Sequence, residues 1–196
     1  MNPARPSLAV LRALLFWFLV ALVMGIADMP SRLLRPPLPQ ILIAALTLMI
    51  LTVAWASVWF RAWLVALDVR VLVLVHVTRF VAGLAFLVFY GRGALPYAFA
   101  VPGGAGDMLV AVLAVPVVLL TDARATRRRG LVLGWNVLGF ADILMVVATA
   151  ARIGAVEPAA MAALLRLPLV LLPAFLVPII IATHVILFVR LRRATS

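Results

Sequence analysis

The chain contains no cysteine and no lysine, and only six of its 196 residues are acidic. The missing cysteine excludes disulfide bonds, thiolate nucleophiles and cysteine-ligated iron–sulfur clusters, and it leaves the redox compartment undetermined. Because lysine is missing, all 17 basic side chains are arginines, and the formal net charge is +11. With only 12% charged residues, the chain has too little polar surface for a water-soluble fold.

Long apolar runs take up most of the chain, which is 67% hydrophobic with a mean hydropathy of +1.27. A helix needs about 20 apolar residues to cross a bilayer, and only helices and closed barrels satisfy their backbone there. The runs lack the period-two alternation of barrel strands. The sequence therefore predicts an all-α polytopic membrane protein, one domain over residues 1–196 with about six transmembrane helices. The predicted spans are 8–27, 41–60, 71–90, 107–121, 130–151 and 167–189.

The arginines lie in short segments between the spans, and their distribution predicts the orientation. In a soluble chain such a charge would indicate nucleic acid, but beside apolar runs arginines set topology and meet anionic headgroups. No nucleic-acid partner is therefore predicted, and the lipid bilayer is the predicted partner. Eleven arginines fall on one side: Arg5, Arg12, Arg61, Arg70, Arg124, Arg127, Arg128, Arg129, Arg190, Arg192 and Arg193. Five fall on the other: Arg32, Arg35, Arg92, Arg152 and Arg166.

This asymmetry predicts cytoplasmic N and C termini in a bacterial inner (cytoplasmic) membrane. The first span has a second interpretation, because basic residues, an apolar run and Gly25-Ile26-Ala27 also fit a cleaved signal peptide. Removing it would suit the arginine distribution no better, so an uncleaved anchor is favoured.

Two of the connections between spans are predicted to have structure of their own. The segment from Gly91 to Gly106 is predicted as a long external loop that forms a partly buried cap, because it combines glycine, proline and aromatic residues. Asp107 then opens a short fourth span, as a helix-capping carboxylate or as a ligand for a substrate or proton. Residues 156–165 predict a short interfacial helix.

Five of the polar residues inside the other predicted spans are candidates for a buried site, because an unpaired charge there is costly. His76 and Arg79 share a face of the third span, Asn136 and Asp142 lie on the fifth, and His184 lies on the sixth. Arg79 and Asp142 are at similar depth, so we expect them to form an ion pair. The candidate binding residues are His76, Arg79, Asp107, Asn136, Asp142 and His184.

The sixth span also carries Pro168, Pro173 and Pro178. Each interior proline leaves a helix carbonyl without its usual donor. Such carbonyls can bind a ligand, or neighbouring helices can satisfy them.

Four pieces of sequence carry a resemblance to other proteins. They are Arg79-x-x-x-Gly83, Gly93-x-Leu95-Pro96-x-x-Phe99-Ala100-x-Pro102-x-Gly104-x-Gly106-Asp107, Trp135-Asn136 and Thr183-His184. Over residues 70–193 the chain resembles a set of small uncharacterised bacterial membrane proteins. No activity is known for that set, so the resemblance implies a compact helical bundle and no functional residues.

The polar residues support several functional hypotheses. The favoured one is binding or translocation of a small-molecule or proton substrate, with the ionisable residues forming a relay or a ligand contact. A second is an electron-transfer protein whose b-type haem is held by His76 and His184. A third is an accessory subunit, with a homo-oligomer or larger membrane complex as partner.

An intramembrane enzyme is a fourth hypothesis, because histidine and aspartate can perform acid–base chemistry on a lipid-like substrate. The sequence has no nucleophile–base pairing and no cofactor fingerprint, so catalytic residues are not assigned. Two histidines are too few ligands for zinc, and no metal site is predicted.

Overall fold

A computed structural model of the chain describes residues 7–125 and 128–193, with the backbone alone at Arg193. Within these residues the structure is helical and contains no β-strand. The α-helices are α1 Leu8–Ile26, α2 Met29–Leu33, α3 Leu38–Ala56, α4 Val58–Ala66, α5 Val69–Leu74, α6 Thr78–Gly91, α7 Tyr97–Leu120, α8 Arg129–Val156 and α9 Val177–Arg193. Two 3-10 helices, Val75–Val77 and Pro158–Leu165, and one π-helix, Leu172–Leu176, complete the described elements.

Six helical segments of the described chain are long and apolar enough to cross a membrane, which confirms the predicted number of spans. They are Leu8–Ile26, Leu38–Ala56, Val69–Gly91, Tyr97–Leu120, Arg129–Val156 and Leu172–Arg192. The third span is continuous across α5, the 3-10 turn and α6, and the sixth joins the π-helix to α9. Together with the large apolar surface they expose, these segments make the chain a multi-pass integral membrane protein.

The fourth span differs most from its prediction. Helix α7 begins at Tyr97, directly after Pro96, so most of the predicted external cap is helical and Asp107 lies near the middle of the helix. The prediction that Asp107 caps a helix N-terminus is therefore wrong. Glycines weaken a helix in water, but within a bilayer the backbone must satisfy its own hydrogen bonds and small residues let helices approach.

The approach of α6 to α7 depends on two of these glycines. A Cβ atom on Gly104 would lie 2.8 Å from the carbonyl oxygen of Gly83, and one on Gly83 would overlap the carbonyl oxygen of Gly104. The two backbones are therefore in direct contact. This contact brings Arg79, one turn before Gly83, next to Asp107, about one turn after Gly104.

Ion pairs and hydrogen bonds stabilise the end of the bundle at which the third span begins. The Asp68 carboxylate accepts a hydrogen bond from the backbone N–H of Arg70 (2.8 Å) and pairs with its guanidinium (2.6 Å). Burial raises the pKa of Asp68, but the bonds from Arg70 outweigh burial and hold it below its ordinary value. Arg190 donates to the carbonyl oxygens of Leu67 (2.7 Å) and Val65 (3.2 Å) at the end of α4.

Two other predicted elements also differ in their ends or helix type from those in the structure. The second span ends at Ala56, because Ser57 starts the separate helix α4 and accepts a hydrogen bond from the backbone N–H of Phe60 (3.2 Å). The helix predicted over residues 156–165 is present as the 3-10 helix Pro158–Leu165.

Candidate functional site

Arg79 is the centre of a buried ion-pair cluster, and its side chain is only 1% exposed. Its Nε donates to Oδ1 of Asp107 (2.6 Å), its Nη1 to the carbonyl oxygen of Gly139 (3.0 Å), and its Nη2 to Oδ2 of Asp142. The predicted Arg79–Asp142 pair is therefore present. The second carboxylate, Asp107, was a candidate residue but was not expected in this pair.

The three charged residues each lie about halfway along a membrane span: Arg79 in Val69–Gly91, Asp107 in Tyr97–Leu120 and Asp142 in Arg129–Val156. One arginine faces two carboxylates, so the cluster carries one excess negative charge when both are ionised. An uncompensated charge is costly in a low-dielectric interior. A bound proton or a bound cation would remove this excess.

Two glycines of the site make room for polar side chains. A Cβ atom on Gly106 would overlap Oδ1 of Asp142, and one on Gly139 would lie 2.7 Å from Cε1 of His184. Gly139 thus contacts His184 on one side while its carbonyl accepts from Arg79. This residue joins the ion-pair cluster to a second polar group, the histidine pair.

The histidine pair consists of His76 and His184, both fully buried, with ring centroids 4.2 Å apart and ring planes at 52°. Trp135 packs edge-on against His76 at 5.0 Å, and its own Nε1 donates to the carbonyl oxygen of Val110 (3.0 Å). The indole therefore closes the pair on one side without using its polar hydrogen there.

The hydrogen bonds of Asn136 determine the tautomer of His184. The Asn136 amide nitrogen donates to the backbone carbonyl of His184 (3.1 Å), and its amide oxygen lies 2.8 Å from His184 Nδ1. An amide oxygen only accepts, so Nδ1 carries the proton. In the neutral ring Nε2 is then an acceptor, and it has no partner among the described residues.

Thr183 acts on His76 in the same way. Its hydroxyl lies 2.9 Å from the carbonyl oxygens of both Ile179 and Ile180, so its hydrogen points to the helix backbone. The hydroxyl oxygen, 3.1 Å from Nε2 of His76, then accepts from that nitrogen. Nδ1 of the neutral ring is left as an acceptor, again unpartnered in the described part of the chain.

The six candidate residues lie in these two adjoining groups. His76, His184 and Asn136 form one, and Arg79, Asp107 and Asp142 form the other. Sequence reasoning did not assign Thr183 a role, although it precedes His184 directly. It also did not assign the packing roles of Gly106 and Gly139, which depend on contacts between helices.

The histidine pair does not fit a bis-histidine haem. Such a haem lies between its two axial ligands, with one imidazole on each face of the macrocycle. Here the rings contact each other, at a centroid distance of 4.2 Å, which leaves no space for a macrocycle between them. Within residues 7–125 and 128–193, no group of three or more histidine, aspartate or glutamate side chains is arranged to hold a metal ion.

An apolar cavity of about 80 Å³ lies further along the same helices. Its lining includes Phe86, seven residues after Arg79, and Val146, four residues after Asp142, which places it about one to two helical turns from the ion-pair cluster. Gln40 also lines the cavity, and its Oε1 is a buried acceptor with no partner among the described residues. The 3-10 helix Pro158–Leu165 covers part of the cavity through Met161 and Leu164.

Comparison with known proteins places most of the chain in one family. Residues 36–192 match the family model described as a domain of unknown function (DUF8737). The match includes all six candidate residues and leaves out α1 and α2. No curated protein and no solved structure matches the chain.

Proposed function

The chain belongs to the DUF8737 family, and we propose that this integral membrane protein binds and transfers protons at its buried polar site. The observation that carries the proposal is the pair of imidazole acceptors, Nδ1 of His76 and Nε2 of His184, for which the described residues offer no partner. An imidazole nitrogen with a free lone pair can accept a proton, and histidine serves as a proton shuttle in proteins. Ionisable residues inside membrane spans mark proton relays and ion pathways.

The ion-pair cluster supplies the second proton acceptor. Two carboxylates share one arginine, so a proton on Asp107 or Asp142 leaves the cluster electrically neutral. Gly139 contacts His184 and accepts from Arg79, so the two groups are close enough for the charge of one to affect the other. A protonated imidazole would repel the Arg79 guanidinium. This repulsion would weaken the ion pairs of Arg79 with its two carboxylates.

The arginine asymmetry supports an orientation with both termini in the cytoplasm of a bacterial inner membrane. The resemblance to small bacterial membrane proteins supports the same location. In this orientation the histidine pair lies on the cytoplasmic side of the ion-pair cluster, because His76 precedes Arg79 on the third span. The proposed proton path therefore runs from the histidines towards the carboxylates.

Infrared difference spectroscopy and proton flux in proteoliposomes test this proposal together. Over a pH series, we expect the infrared spectra to show titration of an imidazole and of a carboxyl C=O band that Asp107→Asn or Asp142→Asn removes. With a valinomycin-imposed potassium potential, we expect flux that Asp142→Asn or His184→Gln slows by roughly a hundredfold. Asp28→Asn is the control, because Asp28 is a partly exposed carboxylate outside the site. No interior titration and no flux above protein-free liposomes would contradict the proposal.

A second candidate function is the binding of a small solute in the apolar cavity. Gln40 Oε1 favours it, because a buried acceptor without a partner is destabilising until a donor reaches it. The ligand class is a small apolar molecule with one hydroxyl or N–H group. We expect short-chain alcohols, but not alkanes of equal size, to raise the melting temperature in detergent, and Gln40→Leu to abolish the difference. Equal shifts from alcohols and alkanes would contradict this assignment.

A further inference from the structure

A small cavity with two arginines in its wall lies at the end of the bundle at which the third span begins. Its volume is about 40 Å³. Trp55 lines it from α3, Arg61 from α4 and Arg190 from α9, and the other lining residues are apolar. Because one water needs about 10–15 Å³, the cavity has room for about three, which is similar to the oxygens of one small oxyanion.

The cavity lies at the level of the lipid headgroups. The second span ends at Ala56 and the sixth at Arg192, so both lining arginines are close to the end of a span. Trp55 is 40% exposed, and exposed tryptophans mark the membrane–water interface. Arg61 is exposed as well, so a ligand can reach the cavity from outside the bundle.

Backbone carbonyl oxygens hold both guanidinium groups in place. Arg190 donates from Nη1 to Leu67 (2.7 Å) and from Nη2 to Val65 (3.2 Å). Arg61 donates from Nη1 to Trp55 (3.1 Å). A guanidinium has more N–H groups than these bonds use, so both side chains keep donors for another acceptor. The carbonyl oxygens are neutral, so they leave both positive charges uncompensated.

No carboxylate in the described part of the chain forms an ion pair with either arginine. Asp68 is close enough to Arg190 for their charges to interact, but its carboxylate is bound to Arg70 at 2.6 Å. Two positive charges beside one largely apolar cavity repel each other, because the dielectric there is lower than in water. An anion that accepts hydrogen bonds from both would remove this repulsion.

We propose that this cavity binds a phosphate group, which accepts hydrogen bonds from Arg61 and Arg190. The planar donors of arginine match the oxygens of a phosphate. At this depth two sources offer the same chemistry, namely the headgroup of an anionic phospholipid and a soluble phosphate. Arg190 lies six residues, or about 9 Å, beyond His184 on α9. The site is therefore separate from the histidine pair, and the proposal does not rest on proton transfer.

Two binding measurements on the full chain in neutral detergent test the proposal and distinguish the two sources. Native mass spectrometry compares the retention of phosphatidylglycerol with that of diacylglycerol of identical chains, which lacks the phosphate. If the ligand is a headgroup, we expect one retained phosphatidylglycerol per chain, preferred about tenfold or more. Equilibrium dialysis measures the binding of radiolabelled inorganic phosphate. If the ligand is a soluble phosphate, we expect one bound phosphate per chain.

Substitutions of the lining residues locate the bound phosphate. Arg61→Gln should weaken the binding about tenfold, and Arg61→Lys should retain more of it because the charge is kept. The matched control is Arg12→Gln, which removes the same charge from an exposed arginine outside the cavity and should leave the binding unchanged. Val65→Phe narrows the cavity at an exposed lining position without altering the charge, and it should weaken the binding.

Three results would overturn the proposal. The first is that the unmodified protein neither prefers phosphatidylglycerol to diacylglycerol nor binds inorganic phosphate. The second is an equal loss of binding in the Arg61→Gln and Arg12→Gln proteins, which would show a general attraction of anions to a basic chain. The third is unchanged binding in the Val65→Phe protein, which would place the phosphate outside the cavity.

Discussion

Asp142 can reach Arg79 only because the facing residue on α7 is a glycine. A Cβ atom at Gly106 would overlap a carboxylate oxygen of Asp142, so any larger residue would push the carboxylate away from the guanidinium. Packed interiors cannot absorb even one extra methyl group without strain. The ion pair therefore depends on a residue that has no functional group of its own.

We expect Gly106→Ala to lower the free energy of unfolding by about 1–3 kcal/mol. The matched control is Gly134→Ala, because a Cβ atom on Gly134 of α8 meets no other atom within 4 Å. That control should be neutral or slightly stabilising, since alanine favours a helix over glycine. Reversible unfolding of the protein in mixed detergent micelles measures both changes, and equal effects of the two substitutions would contradict the packing argument.

The sequence predicted part of this site and missed part of it. The pairing of Arg79 with Asp142 followed from matched depth in two apolar spans, because an isolated charge there is too costly. The prediction that Asp107 lies at a helix N-terminus was wrong, because the glycine-rich segment before it is helical and not a loop. The proton positions on His76 and His184 could not be predicted, since they depend on partners that lie 107 and 48 residues away.

At the scale of elements, a proline in the sixth span is complemented by a tryptophan in the first. Pro178 has no N–H group, so the carbonyl oxygen of Ala174, four residues earlier, loses its usual helical donor. Nε1 of Trp17 donates to that oxygen instead, at 2.9 Å. A carbonyl freed by proline is thus satisfied by α1 and is not left for a ligand.

A double-mutant cycle tests this exchange of donors. Trp17→Phe keeps a ring against Phe175 but leaves the Ala174 carbonyl unpaired, and we expect it to cost about 1 kcal/mol. In the Pro178→Ala background the restored backbone N–H can take over, so the same substitution should cost less. Unfolding free energies of the four proteins give the coupling. Trp59→Phe, at an exposed position, is the control, and a coupling of zero would contradict the account.

The boundaries of α7 show why element ends were less predictable than spans. Composition alone distinguishes a loop from a helix poorly where glycine, proline and aromatic residues mix. The decisive contribution is the contact of Gly83 with Gly104, in which each backbone occupies the space of a missing side chain. That contact exists only once both helices are in place.

At the scale of the whole molecule, charge distribution and helix direction together predict the orientation. Six spans joined by short connections would cross the membrane in alternating directions, which predicts one arginine-rich and one arginine-poor end of the bundle. At the arginine-poor end, Asp28 lies 3.9 Å from Arg32 and 4.0 Å from Arg166. The positive-inside rule then predicts that the arginine-rich end faces the cytoplasm.

Cysteine labelling tests this orientation without background, because the chain has no cysteine of its own. Glu157→Cys lies at the arginine-poor end and Arg124→Cys at the arginine-rich end, and both positions are exposed. On intact cells we expect a membrane-impermeant maleimide to label the first variant. The second should react only after the membrane is permeabilised, and the reverse pattern would contradict the predicted topology.

The sequence alone determined that this protein crosses a membrane about six times, because the apolar length of each run and the cost of an unsatisfied backbone in lipid are local properties. It also predicted that Arg79 and Asp142 pair, since charges in hydrocarbon need partners, but it did not include Asp107 in that pair. Only the tertiary structure decided that two carboxylates share Arg79 and that two imidazoles leave bare nitrogens. Those features depend on glycine contacts and hydrogen bonds between distant helices, which no single stretch of sequence contains.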